Sequence, residues 1–173
     1  MRFEAMMMAA GLALASVSAT AQETAQPCAA QDAALPKEMS GWSSKSDIAT
    51  ATGAQDLTKA ELALGHAANL SLHHTREVQY AAQPAKPGGS VAYGGLAGLT
   101  VKDAGTYRIG LSSGAWIDVV KGDALTRSTA HGHGPACSTI RKIVDFPLQP
   151  GQYVIQISAN ADPAIALMVW RQP

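Results

Sequence analysis

Two histidines and a cysteine are crowded into His131-Gly132-His133-Gly134-Pro135-Ala136-Cys137. If the segment is extended, His131 and His133 fall on the same side of the chain, and their imidazoles can converge on one ion. Gly132 and Gly134 would let the backbone wrap closely around it. Imidazole ligands suit a divalent transition metal such as Cu, Zn or Fe. Tight binding needs a further ligand, from His74 or its neighbour His73, or from an Asp. The same residues also read as a polar, glycine-rich loop whose histidines hydrogen-bond their neighbours. His66 belongs to an alternating apolar run and reads as a core histidine.

A second group surrounds the strand-like run from Ala115 to Val120, where Trp116, Asp118 and Val120 share one face. Asp118 is a carboxylate among apolar neighbours, so it is either exposed or paired, with Arg108 across the sheet as one partner. An exposed Trp116 beside it suits a sugar or aromatic ligand, and a core tryptophan is the alternative. Arg141-Lys142, after the histidine loop, reads as an anion site or as the solvated start of a strand. No serine nucleophile elbow, phosphate loop or zinc-protease motif is present, so whether the chain is an enzyme stays open.

The surrounding sequence indicates what must hold these groups. The 173 residues carry no net charge, with 15% charged and 47% hydrophobic, enough for one globular domain with a core. Nothing in that balance points to nucleic acid as a partner. Sixteen Gly and nine Pro describe a chain that turns often.

Arg2, the apolar run from Ala5 to Val17, and Ala19-Thr20-Ala21 read as a secretory signal peptide over 1–21. The apolar run is shorter than the roughly 20 residues that span a bilayer, so no transmembrane segment is expected after processing. Thr24-Ala25-Gln26-Pro27 lacks the pattern of a lipidated cysteine at Cys28. A periplasmic or secreted protein follows. In such a compartment Cys28 and Cys137 are expected to pair. The bond would close a loop of roughly a hundred residues, with a stabilisation of about 4 kcal/mol. A Cys137 thiolate serving as a metal ligand is the competing reading.

Residues 22–58 read as an irregular N-terminal arm anchored by Leu35, Met39 and Trp42, with 43–55 mobile. The remainder, 59–173, reads as an all-β domain. Thr58 and Glu61 have capping-box spacing, which predicts a short helical turn. Strands are expected over 64–73, 78–81, 91–101, 106–111, 115–120, 125–129, 142–148, 152–158 and 164–170, with turns at Asp103-Ala104-Gly105, Ser112-Ser113-Gly114, Lys121-Gly122-Asp123 and Pro150-Gly151. Gly94, Gly95 and Gly98 predict a bulge or bend. Gly105-Thr106-Tyr107-Arg108-Ile109 and Gly151-Gln152-Tyr153-Val154-Ile155 echo each other, which predicts two equivalent corners with both tyrosines serving the core. The fold class is an antiparallel β-sandwich, jelly-roll or Ig-like.

Ala104-Gly105-Thr106-Tyr107-Arg108, Ala115-Trp116-Ile117-Asp118-Val119-Val120 and His131-Gly132-His133-Gly134-Pro135 with Cys137 and Ile140-Arg141-Lys142 resemble a group of small exported sphingomonad-type proteins of unassigned function. The resemblance spans about Cys28 to Arg171. Some members carry the label homogentisate 1,2-dioxygenase, which implies Fe(II) held by two histidines and a carboxylate. His131 and His133 would then join Asp118, Asp123 or Asp145. True homogentisate enzymes are much longer and cytoplasmic, which fits this short exported chain poorly. The Gly-x-Tyr corners also resemble β-sandwich modules of the pre-peptidase C-terminal type, which are accessory binding domains. The expected function is a binding or interaction module, with a small ligand, a metal ion at His131/His133 or a protein as partner. The alternative is a metal-dependent oxidoreductase using the two histidines.

Overall fold

The computed structural model describes residues 32–173, so the signal-peptide region and Cys28 lie outside the described residues. Twelve strands follow in order: β1 (Lys45–Ala49), β2 (Glu61–Leu62), β3 (Ala67–Ser71), β4 (His73–His74), β5 (Tyr93–Val101), β6 (Gly105–Leu111), β7 (Trp116–Lys121), β8 (Ala124–Thr126), β9 (Ala130–Gly132), β10 (Lys142–Leu148), β11 (Gly151–Asn160) and β12 (Ala164–Arg171). They form two packed sheets, β1-β3-β12-β6-β10-β9 and β2-β5-β11-β7-β8, with β4 on β5. The chain is an all-β sandwich. Pairing is antiparallel except at β1 with β3 and β2 with β5, which run parallel, so both sheets are mixed.

The core lies between the sheets. Along β6 and β11 the alternate residues Tyr107, Ile109, Leu111 and Tyr153, Ile155, Ile157 face inward, as the period of two demands. The two expected corners are present, one in each sheet. Tyr107 and Tyr153 are buried, and each hydroxyl donates 2.8 Å back to the carbonyl four residues earlier, Asp103 and Gln149. A buried phenol thus packs its ring and satisfies its O–H in one move.

Other expectations are corrected. Residues 45–49, expected to be mobile, form the edge strand β1, which pairs with β3 over its whole length. Thr58 does lie in a 3-10 turn, Ala54–Lys59. The expected 64–73 strand begins only at Ala67, because Gly65 turns the chain at φ +76°. Residues 78–81 are not a strand. After a 3-10 turn at Thr75–Glu77, the chain crosses the outer face of the second sheet, held by side chains of β11. Gln156 grips Ala82 through both its N–H (2.8 Å) and its carbonyl (3.1 Å), and the Ser158 hydroxyl donates to the Lys86 carbonyl. The bulge predicted in β5 is carried by its partner β11, whose register shifts between Ile157 and Asn160, where Ala159 has φ +55°.

The arm covers the outer face of the first sheet. Met39 and Trp42 pack with Ala67, Ile140, Ala166, Met168 and Trp170. The Trp42 indole N–H donates to Thr139 Oγ1 at 2.8 Å, and Thr139 in turn donates both its amide and its hydroxyl to Asp32. Gly41 passes so close to the Gly65 carbonyl that a Cβ there would overlap it.

Candidate functional site

The histidine segment does not form one loop. His131 is on β9, opposite Val144 of β10, in a short exposed strand at the sheet edge. His133 follows the strand, exposed, with Nδ1 at 3.4 Å from the Arg141 carbonyl. Arg108, Ala130, His131, Gly132, His133, Ile143 and Asp145 border a shallow cavity of about 210 Å³. Asp145, the nearest carboxylate, is engaged by Arg108, Nε to Oδ1 at 3.3 Å. That pair also corrects the expected partner of Arg108: it is Asp145 in the same sheet, and not Asp118 in the other. His74 lies on β4 in the second sheet, stacked on Tyr93 with ring centroids 4.7 Å apart and with its Nδ1 buried and unpartnered. Among the described residues no three His, Cys, Asp or Glu side chains are grouped to hold a metal ion. Cys137 has φ +60° in the loop that Ser138 closes on the Pro135 carbonyl. It is not a free thiol, and Cys28, its expected partner, lies outside the described residues.

A second, more enclosed cavity of about 140 Å³ opens where the sheets meet at their edges. Trp116, Ile117, Ser128, His131, Lys142 and Val144 line it. Trp116 and Ile117 come from β7, His131 from β9, and Lys142 and Val144 from β10. Ser128 belongs to the crossing between β8 and β9. Alternation along β10 places Lys142 on the same side as core residues Val144, Phe146 and Leu148. At the strand end that side opens to the gap between the sheets. The Lys142 Nζ spans it, donating to the Ala115 carbonyl at 2.8 Å and lying 5.3 Å from the Trp116 ring centroid. Lys86, carried by the segment across the outer face, brings a second ammonium to 4.9 Å from the same ring.

Trp116 and Asp118 face outward from β7, as the shared face required, and neither is fully exposed. Asp118 is only 9% exposed. Its Oδ1 accepts the Trp116 indole N–H at 2.9 Å, while its Oδ2 is buried without a partner. Burial pushes the Asp118 carboxyl above the usual range, and the bonds from Trp116 and the Ala85 amide, with the charge of Lys142, offset only part of this. Burial and the neighbouring Lys86 lower the Lys142 ammonium from its ordinary value, with Asp118 acting the other way.

Of the residues singled out from sequence, His131 and Trp116 meet in this cavity, and Lys142 replaces its exposed neighbour Arg141. His133 lines the shallow cavity instead, Asp118 is tied to it only through the Trp116 indole N–H, and His74 is not part of it. Lys86 and Ser128 carry no local signal: Lys86 lies in a segment that reads as a loop, and Ser128 in the expected 125–129 strand, which ends at Thr126. Comparison with protein-family models and with curated proteins finds no match. Among the described residues no helix is long and apolar enough to cross a membrane.

Proposed function

We propose that this chain is an exported, non-catalytic β-sandwich module that binds a small ligand in the cavity walled by Trp116, His131 and Lys142. The convergence of those three side chains, from both sheets, on one partly apolar cavity supports the reading. The cavity combines an aromatic surface, aliphatic walls from Ile117 and Val144, and a few polar groups that can orient a ligand. Its volume is close to that of the cavities, roughly 150 Å³, that take up a benzene ring. The ligand, or the part of it that enters, is therefore of one-ring size. Export rests on the small-x-small site Ala19-Thr20-Ala21, and intact mass of the exported protein should show loss of residues 1–21.

The test is amide and indole chemical-shift mapping with one-ring probes, neutral and charged. Shifts should cluster at Trp116, Ser128, His131 and Val144, and should vanish in Trp116→Ala. Shifts that map elsewhere, or persist in the variant, would reject this site.

A metal-dependent oxidoreductase is the second reading. It is favoured by one observation, that His131, His133 and Asp145 border the same shallow cavity. It requires Asp145 to leave Arg108.

A further inference from the structure

We infer that the ligand of the Trp116 cavity is a small organic carboxylate, a one-ring or similarly sized apolar body carrying a single negative charge. The inference rests on the site proposed above and adds the ligand's chemistry. Lys86 and Lys142 both hold their ammonium groups about 5 Å from one tryptophan ring. Among the described residues neither has a carboxylate within 4 Å, where the ion pairs are Lys59–Asp56 and Arg108–Asp145. An ammonium has three donors, and Lys142 engages one of them, on the Ala115 carbonyl. The nearby Asp118 lends Lys142 part of a counter-charge from a distance but makes no ion pair with it within 4 Å, and its Oδ1 is taken by the Trp116 indole N–H. The π-face of Trp116 attracts both cations but does not neutralise them. A half-buried Lys142 that spans the gap between the sheets, with the exposed Lys86 adding a second positive charge over the same ring, therefore leaves room for an anion with donors already aimed.

The walls decide what kind of anion. Ile117 and Val144 give the cavity aliphatic walls, against which a bare inorganic ion would not pack. A carboxylate on an apolar body satisfies both features at once. Its charge meets Lys142, with Lys86 adding its field, and its body lies against Trp116 and the aliphatic walls.

The probes are benzoate, benzamide as its neutral isostere, and inorganic phosphate, titrated calorimetrically into the full chain and followed at the Trp116 indole signal. Benzoate should bind at least about tenfold tighter than benzamide. Lys142→Met should remove that advantage, so that benzoate binds no tighter than benzamide. Lys86→Met, at an exposed ammonium that makes no hydrogen bond among the described residues, is the second variant and should weaken benzoate several-fold with an unaltered amide spectrum. Salt should weaken benzoate and not benzamide. Equal binding of benzoate and benzamide would overturn the charge inference while the site itself stands. Phosphate binding as tightly as benzoate would overturn the organic class. No response from any probe at Trp116 would remove both this inference and the site on which it rests.

Discussion

The indole N–H of Trp116 donates to Asp118 Oδ1 at 2.9 Å, although the two residues are neighbours on one face of a single strand. A carboxylate that would otherwise carry an unsolvated charge beneath the chain around Ala85 is thus tied to the residue that forms the cavity wall. The tie is incomplete, since Oδ2 has no partner.

The first prediction follows from that orphan oxygen. Burial raises the Asp118 carboxyl above its ordinary value near 3.8. The folded state therefore favours the protonated form relative to the unfolded chain. The charged form costs stability, and that cost grows as pH rises from the ordinary value through the raised one, then stays constant. Asp118→Asn keeps an acceptor for the Trp116 N–H and removes the charge. The variant should melt a few degrees above wild type at neutral pH, with the difference closing below about pH 4. Thermal melts across that range check it, and a variant that is less stable at neutral pH would show that the charge is solvated.

The corners give a sharper stability test. Tyr153→Phe removes the bond to the Gln149 carbonyl and should cost about 1 kcal/mol. Tyr153→Ala also empties a buried site and should cost about 3 kcal/mol or more. Urea unfolding measures both, and equal losses in the two variants would mean that the ring contributes nothing. Tyr107→Phe should repeat the smaller loss, because the same bond recurs in the other sheet.

Those corners were legible because their signals are local: a glycine turn, a tyrosine two residues on, and aliphatics at every second position. The same is true of β10, whose bounds match the expected 142–148 throughout. Strand β1 was not legible, because Lys45-Ser46-Asp47-Ile48-Ala49 is an edge strand that buries little and shows no alternation. His131 reads as a loop residue for the same reason, with Ala130-His131-Gly132 exposed along its length. Residues 78–86 are held by Gln156 and Ser158, partners more than seventy positions away, which no window of sequence contains. The site was half legible. Trp116, His131 and the Arg141-Lys142 pair stood out by residue type, but which of the two cations enters the cavity depends on β10 register, and Lys86 reaches Trp116 only through that distant tether.

The arm should prove part of the folded unit. Trp42 is fully buried against Met168 and Trp170, and Trp42→Ala should cost about 3–5 kcal/mol. Burial by itself would raise the Asp32 carboxyl, but the Thr139 amide and hydroxyl, with Lys45 and Trp42, together hold it below its ordinary value. Its contribution is present above the ordinary carboxylate pKa and is lost as pH falls through the lowered one. If Cys28 pairs with Cys137, the arm is also tied covalently. Non-reducing peptide mapping should recover the linked peptide, and reduction should destabilise the protein by about 4 kcal/mol. Two freely alkylated thiols in native protein would refute the pairing.

The last prediction concerns metal. His131 and His133 offer two imidazoles, but the structure gives them no free carboxylate: Asp145 is engaged by Arg108, and His74 belongs to the other sheet. A two-histidine pair on an exposed edge binds a divalent ion only modestly, and only as neutral imidazole. Calorimetric titration of Zn(II) and Cu(II) should therefore show uptake no tighter than about millimolar for zinc. The His131→Ala/His133→Ala variant should abolish what uptake there is without loss of fold. Micromolar zinc binding lost in that variant would mean that a third ligand is recruited. Arg108→Ala, which frees Asp145, then decides whether that carboxylate is the one: tighter binding in Arg108→Ala would identify it and revive the oxidoreductase reading, whereas unchanged binding would exclude Asp145.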